Sequence, residues 1–94
     1  MRKMLFIFNP HSGKAQIRNR LMDILDIFTK AGYEVSVHVT QRPKDAMEVA
    51  AARGNDADLI VCSGGDGTLD EVVTGITEVG SKVPVGYIPA GSTN

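Results

Sequence analysis

"LIVCSGGDGTLDEVV", residues 59–73, runs from an unbroken apolar stretch into three glycines and an aspartate, and then into a segment with apolar residues at helical spacing. An unbroken apolar run is expected of a strand buried on both faces, as in a parallel sheet, and parallel strands need a crossover between them. The stretch therefore reads as strand, tight turn, helix. Residues 59–63 are the strand, and Leu69, Val72, Val73, Ile76 and Val79 mark one face of a helix over 68–79 that stops at Gly80. Gly75 inside that helix costs about 1 kcal/mol against Ala, which suggests close packing on the sheet.

The same alternation extends toward the N-terminus. Residues 4–8 form another apolar run, closed by the turn chemistry of "NPHSG". Over 14–31 the apolar positions Ile17, Leu21, Ile24, Phe28 and Ala31 recur at helical spacing, with Gly32 as the stop. Residues 33–40 alternate around Val35, Val37 and Val39; Pro43 suits a first helical position, and Gly54-Asn55 ends that helix. A last strand covers 83–88. The order is βαβαβαβ, so the expected fold is α/β: an open parallel sheet with right-handed crossovers and helices on both faces.

Composition removes several classes of function. Ninety-four residues make one small domain. Ten basic residues are scattered and offset by eleven acidic ones, which argues against a nucleic-acid partner. The single cysteine, Cys62, has no internal disulfide partner and reads as a small core hydrophobe in a reducing compartment, the cytoplasm. The apolar part of "MRKMLFIFNP" is too short for a signal peptide, and no segment is long enough to cross a bilayer. His11 and His38 stand in no metal-ligand spacing and are read as structural. "QRPKD", residues 41–45, is a solvated turn from which Arg42 or Lys44 could lean toward a phosphate.

In open α/β sheets ligands bind beyond the carboxyl ends of the strands, here residues 9–14, 40–42, 64–68 and 89–94. Glycines at a strand-to-helix turn supply positive φ and let a ligand touch bare backbone, while the helix start offers unpaired N–H groups and a positive dipole end. That combination suits phosphate. The plainer reading is a tight turn with Thr68 as helix N-cap. Asp66 tilts the balance, because an acid in an anion-attracting nest makes more sense if it holds a cation or takes the hydroxyl proton of an acceptor. The better-known phosphate loops do not match: the dinucleotide pattern would need glycine at Asp70, and the Walker pattern would need glycine at Phe8 and Ser or Thr at Ala15.

"GGDGT" with Glu71 beyond it, "FNPHSGK" before it and "IPAGSTN" after it together resemble the N-terminal part of the diacylglycerol kinase catalytic domain family. That family includes bacterial lipid kinases, and sphingosine kinases are similar to it. GGDGT alone is shared with NAD kinases and, with Ser for Thr, with phosphofructokinases; the three motifs together are more specific. The resemblance covers the whole chain and implies a phosphofructokinase/NAD kinase-like N-terminal domain. It also implies truncation, since family members are much longer and add a β-rich second domain with further catalytic residues.

The resemblance implies roles residue by residue. Asn9, Pro10, Ser12 and Gly13 match a turn at the nucleotide site, beside the ordinary reading of Asn9 as an Asx turn. Thr40 matches a nucleotide-contacting threonine at the end of the second strand, otherwise a polar strand end. Gly64, Gly65, Asp66, Gly67 and Thr68 match the nucleotide-phosphate loop, with Asp66 as the catalytic and Mg²⁺-holding acid. Glu71 would point back toward that loop from one turn into the helix. Gly91, Ser92, Thr93 and Asn94 match a final loop in which Ser92 replaces the usual Thr. The implied activity is that of the ATP-binding part of a lipid kinase, moving the γ-phosphoryl of ATP to a lipid hydroxyl such as that of diacylglycerol. The implied partners are ATP, Mg²⁺, a lipid alcohol reached through the missing domain, a membrane surface touched peripherally, and other copies of the fragment. An NAD kinase-like enzyme and a non-catalytic nucleotide-binding module are the alternatives.

Overall fold

The run at residues 4–8 is buried at every position, and it lies in the strand that the rest of the sheet is built around. The structure is a computed structural model that describes residues 1–11 and 19–89. In chain order the elements are β1 (Arg2–Phe8), α1 (Leu21–Lys30), β2 (Tyr33–Val39), α2 (Asp45–Arg53), a 3-10 turn (Gly54–Asp56), β3 (Leu59–Gly64), α3 (Asp66–Glu78) and β4 (Val85–Pro89). All strand pairs are parallel and the sheet order is β2-β1-β3-β4. The chain steps outward from β1 to β2 and then returns past β1 to β3. The neighbours β1 and β3 therefore mark a topological switch point, where a crevice opens at the carboxyl ends of the strands.

Alternate residues of the two central strands feed two cores. Leu5, Ile7, Ile60 and Cys62 meet Ala46, Val49 and Ala50 of α2 and Val72 and Ile76 of α3. Met4, Phe6, Phe8 and Val61 meet Leu21, Ile24, Leu25 and Phe28 of α1, where Phe6 and Phe28 pack edge to face with centroids 5.9 Å apart. Helices thus cover both faces, as the spacing of the sequence predicts. Among the described residues, no helix is long and apolar enough to cross a membrane.

Several boundaries differ from the sequence expectations. Helix α3 begins at Asp66 rather than Thr68, with Gly65 as its N-cap. Pro43 precedes α2 instead of opening it, because Lys44 is the N-cap, at a left-handed φ of 71°. Gly32 and Gly80 do stop their helices at positive φ, 97° and 68°. Gly54 instead continues into the 3-10 turn with φ −59°. Gly75 faces α2 and not the sheet: a Cβ there would overlap the Met47 carbonyl and lie 3.3 Å from the Ala50 Cβ, so glycine lets the two helices close on each other. The start of the first expected helix, with Ile17, lies outside the described residues.

Candidate functional site

The site grows from the ends of β1 and β3. Asn9 follows β1 and its backbone N–H donates to the Ser63 carbonyl at 2.9 Å, tying the turn to the neighbouring strand. Its side chain has two partners. Oδ1 accepts the His11 N–H at 2.9 Å, which is the expected Asx turn, and Nδ2 donates to Thr68 Oγ1 at 3.2 Å. Asn9 therefore fixes the first turn of α3 against the end of β1. Thr68 is buried in the third position of the helix and is not its N-cap; its N–H bonds to the Gly65 carbonyl at 3.1 Å.

The glycines serve clearance rather than left-handed torsion. Among the described residues the positive-φ glycines are Gly32 and Gly80, and Gly65 is extended at φ −84°, ψ −176°. A Cβ on Gly64 would overlap Thr68 Oγ1 and lie 3.1 Å from the Asn9 Cβ. A Cβ on Gly67 would meet nothing within 4 Å. Among the described residues no side chain caps the first turn of α3, so its orphan N–H groups and positive dipole end are open to another partner.

These residues form one wall of a cleft of about 440 Å³, made by Asn9, His11, Gly65, Gly67 and Thr68. The facing wall is Thr40, Gln41, Arg42, Pro43 and Ala46, and Glu71 lies with them. Thr40, buried, anchors that wall by donating its N–H to the Phe8 carbonyl at 2.9 Å. Asp45 holds the turn beyond it: Oδ2 accepts the Gln41 N–H at 2.7 Å and Oδ1 lies 3.1 Å from His38 Nε2. The Gln41 N–H bond keeps the Asp45 carboxyl below the ordinary carboxylate range, outweighing the opposing effect of burial, and His38 adds to it. Arg42 pairs with Glu48, which raises the guanidinium pKa and lowers that of the carboxyl. Glu71 Oε2 accepts the backbone N–H of Lys44 at 3.1 Å.

Of the residues singled out by sequence, the cleft brings together Asn9, Thr40, Arg42, Gly65, Gly67, Thr68 and Glu71. Pro10, half-buried, and Gly64, buried in β3, do not line it. Asp66 is the exposed first residue of α3 and is not among the residues that line the cleft. Burial raises the Tyr87 phenol pKa, and the Asp66 charge adds to it; the phenol O–H donates to the Gly64 carbonyl at 3.0 Å. Ser12, Gly13, Gly91, Ser92, Thr93 and Asn94 lie outside the described residues. His11, Gln41, Pro43 and Ala46 also line the cleft; apart from falling near strand ends, they carry no sequence signal for this.

Among the described residues, no group of three or more His, Cys, Asp or Glu side chains could hold a metal. A dedicated protein cage is thus absent from that part of the chain. A single carboxylate such as Asp66 still fits Mg²⁺, which commonly takes one or two carboxylates and fills its shell with phosphate oxygens and water.

Comparison with known proteins gives the family of the chain. The chain is 45% identical over 89 residues to the diacylglycerol kinase of Staphylococcus haemolyticus and 40% identical over 95 residues to that of Bacillus subtilis. It covers 94% and 100% of itself in these matches but 27% and 31% of those enzymes. A solved diacylglycerol kinase from Bacillus anthracis superposes with a TM-score of 0.86 at 27% identity, covering 96% of this chain and 33% of that one. Residues 3–94 match the diacylglycerol kinase catalytic domain, so the glycine segment, the Asn9 turn and the cleft between them belong to a member of that family.

Proposed function

We propose that this chain is the ATP-binding part of a longer lipid kinase that transfers the γ-phosphoryl of ATP to a lipid hydroxyl such as that of diacylglycerol. The observation that carries the proposal is the uncapped start of α3 opening, through Gly65 and Gly67, into a cleft at the switch point of the sheet. Backbone N–H groups there would bind phosphate oxygens, and the open space at Gly67 lets them approach the main chain. Thr68 and Asn9 keep those donors fixed, so little reorganisation accompanies binding. Thr40 and its neighbours would form the wall for the rest of the nucleotide. Mg²⁺ bound to the phosphates would neutralise charge that builds up during transfer, with Asp66 as its protein carboxylate. The acceptor pocket and a second, β-rich domain would follow this chain, and the enzyme would work at the cytoplasmic surface of a membrane.

Asp66 stands outside the cleft wall, and this favours a second reading, a nucleotide-binding module without catalysis. Asp66→Asn separates the two because it keeps shape and removes charge. In the full-length protein with ATP and diacylglycerol micelles, the variant is expected to lose at least about a hundredfold in turnover with its melting temperature unchanged. Near-normal turnover would remove Asp66 from the chemistry, absence of transfer in the wild type would favour the module, and transfer to NAD in place of lipid would favour an NAD kinase.

A further inference from the structure

The cleft has walls on two different helices, and its width depends on what joins them. One wall is the start of α3; the other is the turn 40–43 that leads into α2. Among the described residues, the bond from the Lys44 N–H to Glu71 Oε2 is the side-chain hydrogen bond that ties α3 to this turn. Lys44 is also the one non-glycine residue of the described chain with positive φ, 71°, and it follows directly on Pro43 of the cleft wall. A side-chain-bearing residue holds such a conformation when its surroundings over-determine it. On one side the Lys44 carbonyl accepts the Glu48 N–H at 3.0 Å, starting α2. On the other its own N–H is pinned by Glu71, from one turn into α3.

We infer that Glu71 is a positioning residue, a strut that holds Lys44 in its left-handed conformation and so sets the wall of residues 40–43 against the phosphate-binding start of α3. This rests on the nucleotide reading and assigns Glu71 a role apart from ligating phosphate or metal. A carboxylate aimed at phosphate would repel it, whereas one accepting the Lys44 backbone N–H has a partner already. The role needs an acceptor oxygen at this place and does not need a negative charge. It also needs a residue at 44 that would otherwise leave the left-handed region.

Both requirements can be tested in the full-length protein by calorimetric ATP titration, thermal melts and amide exchange at Lys44. Glu71→Ala is expected to weaken ATP binding up to about tenfold, through loss of the Lys44 hydrogen bond, while Glu71→Gln, which keeps an acceptor, weakens it less than about threefold. Lys44→Gly tolerates the same φ unaided, so adding Glu71→Ala to it should cost less than about threefold further. The Lys44 amide should lose protection in Glu71→Ala and keep it in Glu71→Gln. With kinase activity measured alongside, Glu71→Ala should raise KM for ATP and leave kcat within about twofold. Equal damage from Gln and Ala, or an undiminished Ala effect in the Lys44→Gly background, overturns the positioning role in a protein that binds ATP. A wild type that binds no ATP overturns the nucleotide reading and the role together, and the exchange arm then shows whether the strut itself stands.

Discussion

Gly64, at the end of β3, and Gly67, in the first turn of α3, are required for opposite reasons. Gly64 is filled against: any Cβ there runs into Thr68 and Asn9, the pair that fixes the start of α3. Gly64→Ala is therefore expected to cost about 1–3 kcal/mol in stability, the usual penalty of overpacking, read as a shift in denaturant midpoint. Gly67 has empty space at its Cβ and a helical backbone, so Gly67→Ala should be neutral or up to about 1 kcal/mol stabilising by helix propensity. Its methyl would occupy the space proposed for a phosphate, and calorimetry should show weaker ATP binding in a protein that melts no lower. The sequence made the glycines conspicuous and read them both as sources of positive φ and as bare backbone for a ligand, without showing that Gly64 is needed for packing. Torsion and clearance leave the same trace in a sequence, and clearance depends on Asn9, far away along the chain. Lys44 left no trace, since nothing about a lysine announces a left-handed residue.

At the scale of elements, the strands and helices were legible because their periodicity is local. Their starts were less so. The α2 start moved past Pro43 because Asp45 and Glu71 hold the preceding turn from two sides, and neither bond is visible as a pattern. Asp45 gives that junction a pH dependence. Its folded pKa lies below the ordinary 3.8, so the stabilisation is complete above that value and drains away as pH falls through the lower, folded-state pKa. Asp45→Asn should be less stable than the wild type at neutral pH, and the gap should narrow as acid is added below pH 3.8, followed by melts across a pH series. If the gap stays constant, the charge of Asp45 is not what holds the turn. The α2–α3 contact supplies a second case in which two effects compete. At Gly75, alanine gains about 1 kcal/mol in helix propensity, but its methyl would overlap the Met47 carbonyl, and forcing two helices apart costs about 1–3 kcal/mol. The steric effect wins, and Gly75→Ala is expected to lower the denaturant midpoint without changing the slope.

For the molecule as a whole, the parallel sheet was legible from unbroken apolar runs, whereas the strand order was not. Among the described residues that order places β2 and β4 at the two edges, with unpaired main-chain groups along each. On β2 the apolar residues Val37 and Val39 are 40% and 38% exposed, so this edge carries apolar side chains beside open hydrogen-bonding groups. Such an edge invites pairing with another copy. The chain also spans less than a third of the two kinases to which it was compared. On the proposed reading, in which the acceptor pocket lies in a second domain, the 94 residues alone are expected to bind ATP weakly, to transfer no phosphoryl group and to associate as concentration rises. Light scattering over a concentration series would follow the last of these. Val37→Lys together with Val39→Lys should return the chain to monomer, since a charged edge resists strand pairing and both side chains already reach solvent. A wild-type chain that stays monomeric shows that the β2 edge is blunted in some other way. Phosphoryl transfer by these residues alone would place the acceptor site within them, and the proposal of a second domain carrying it would then fail.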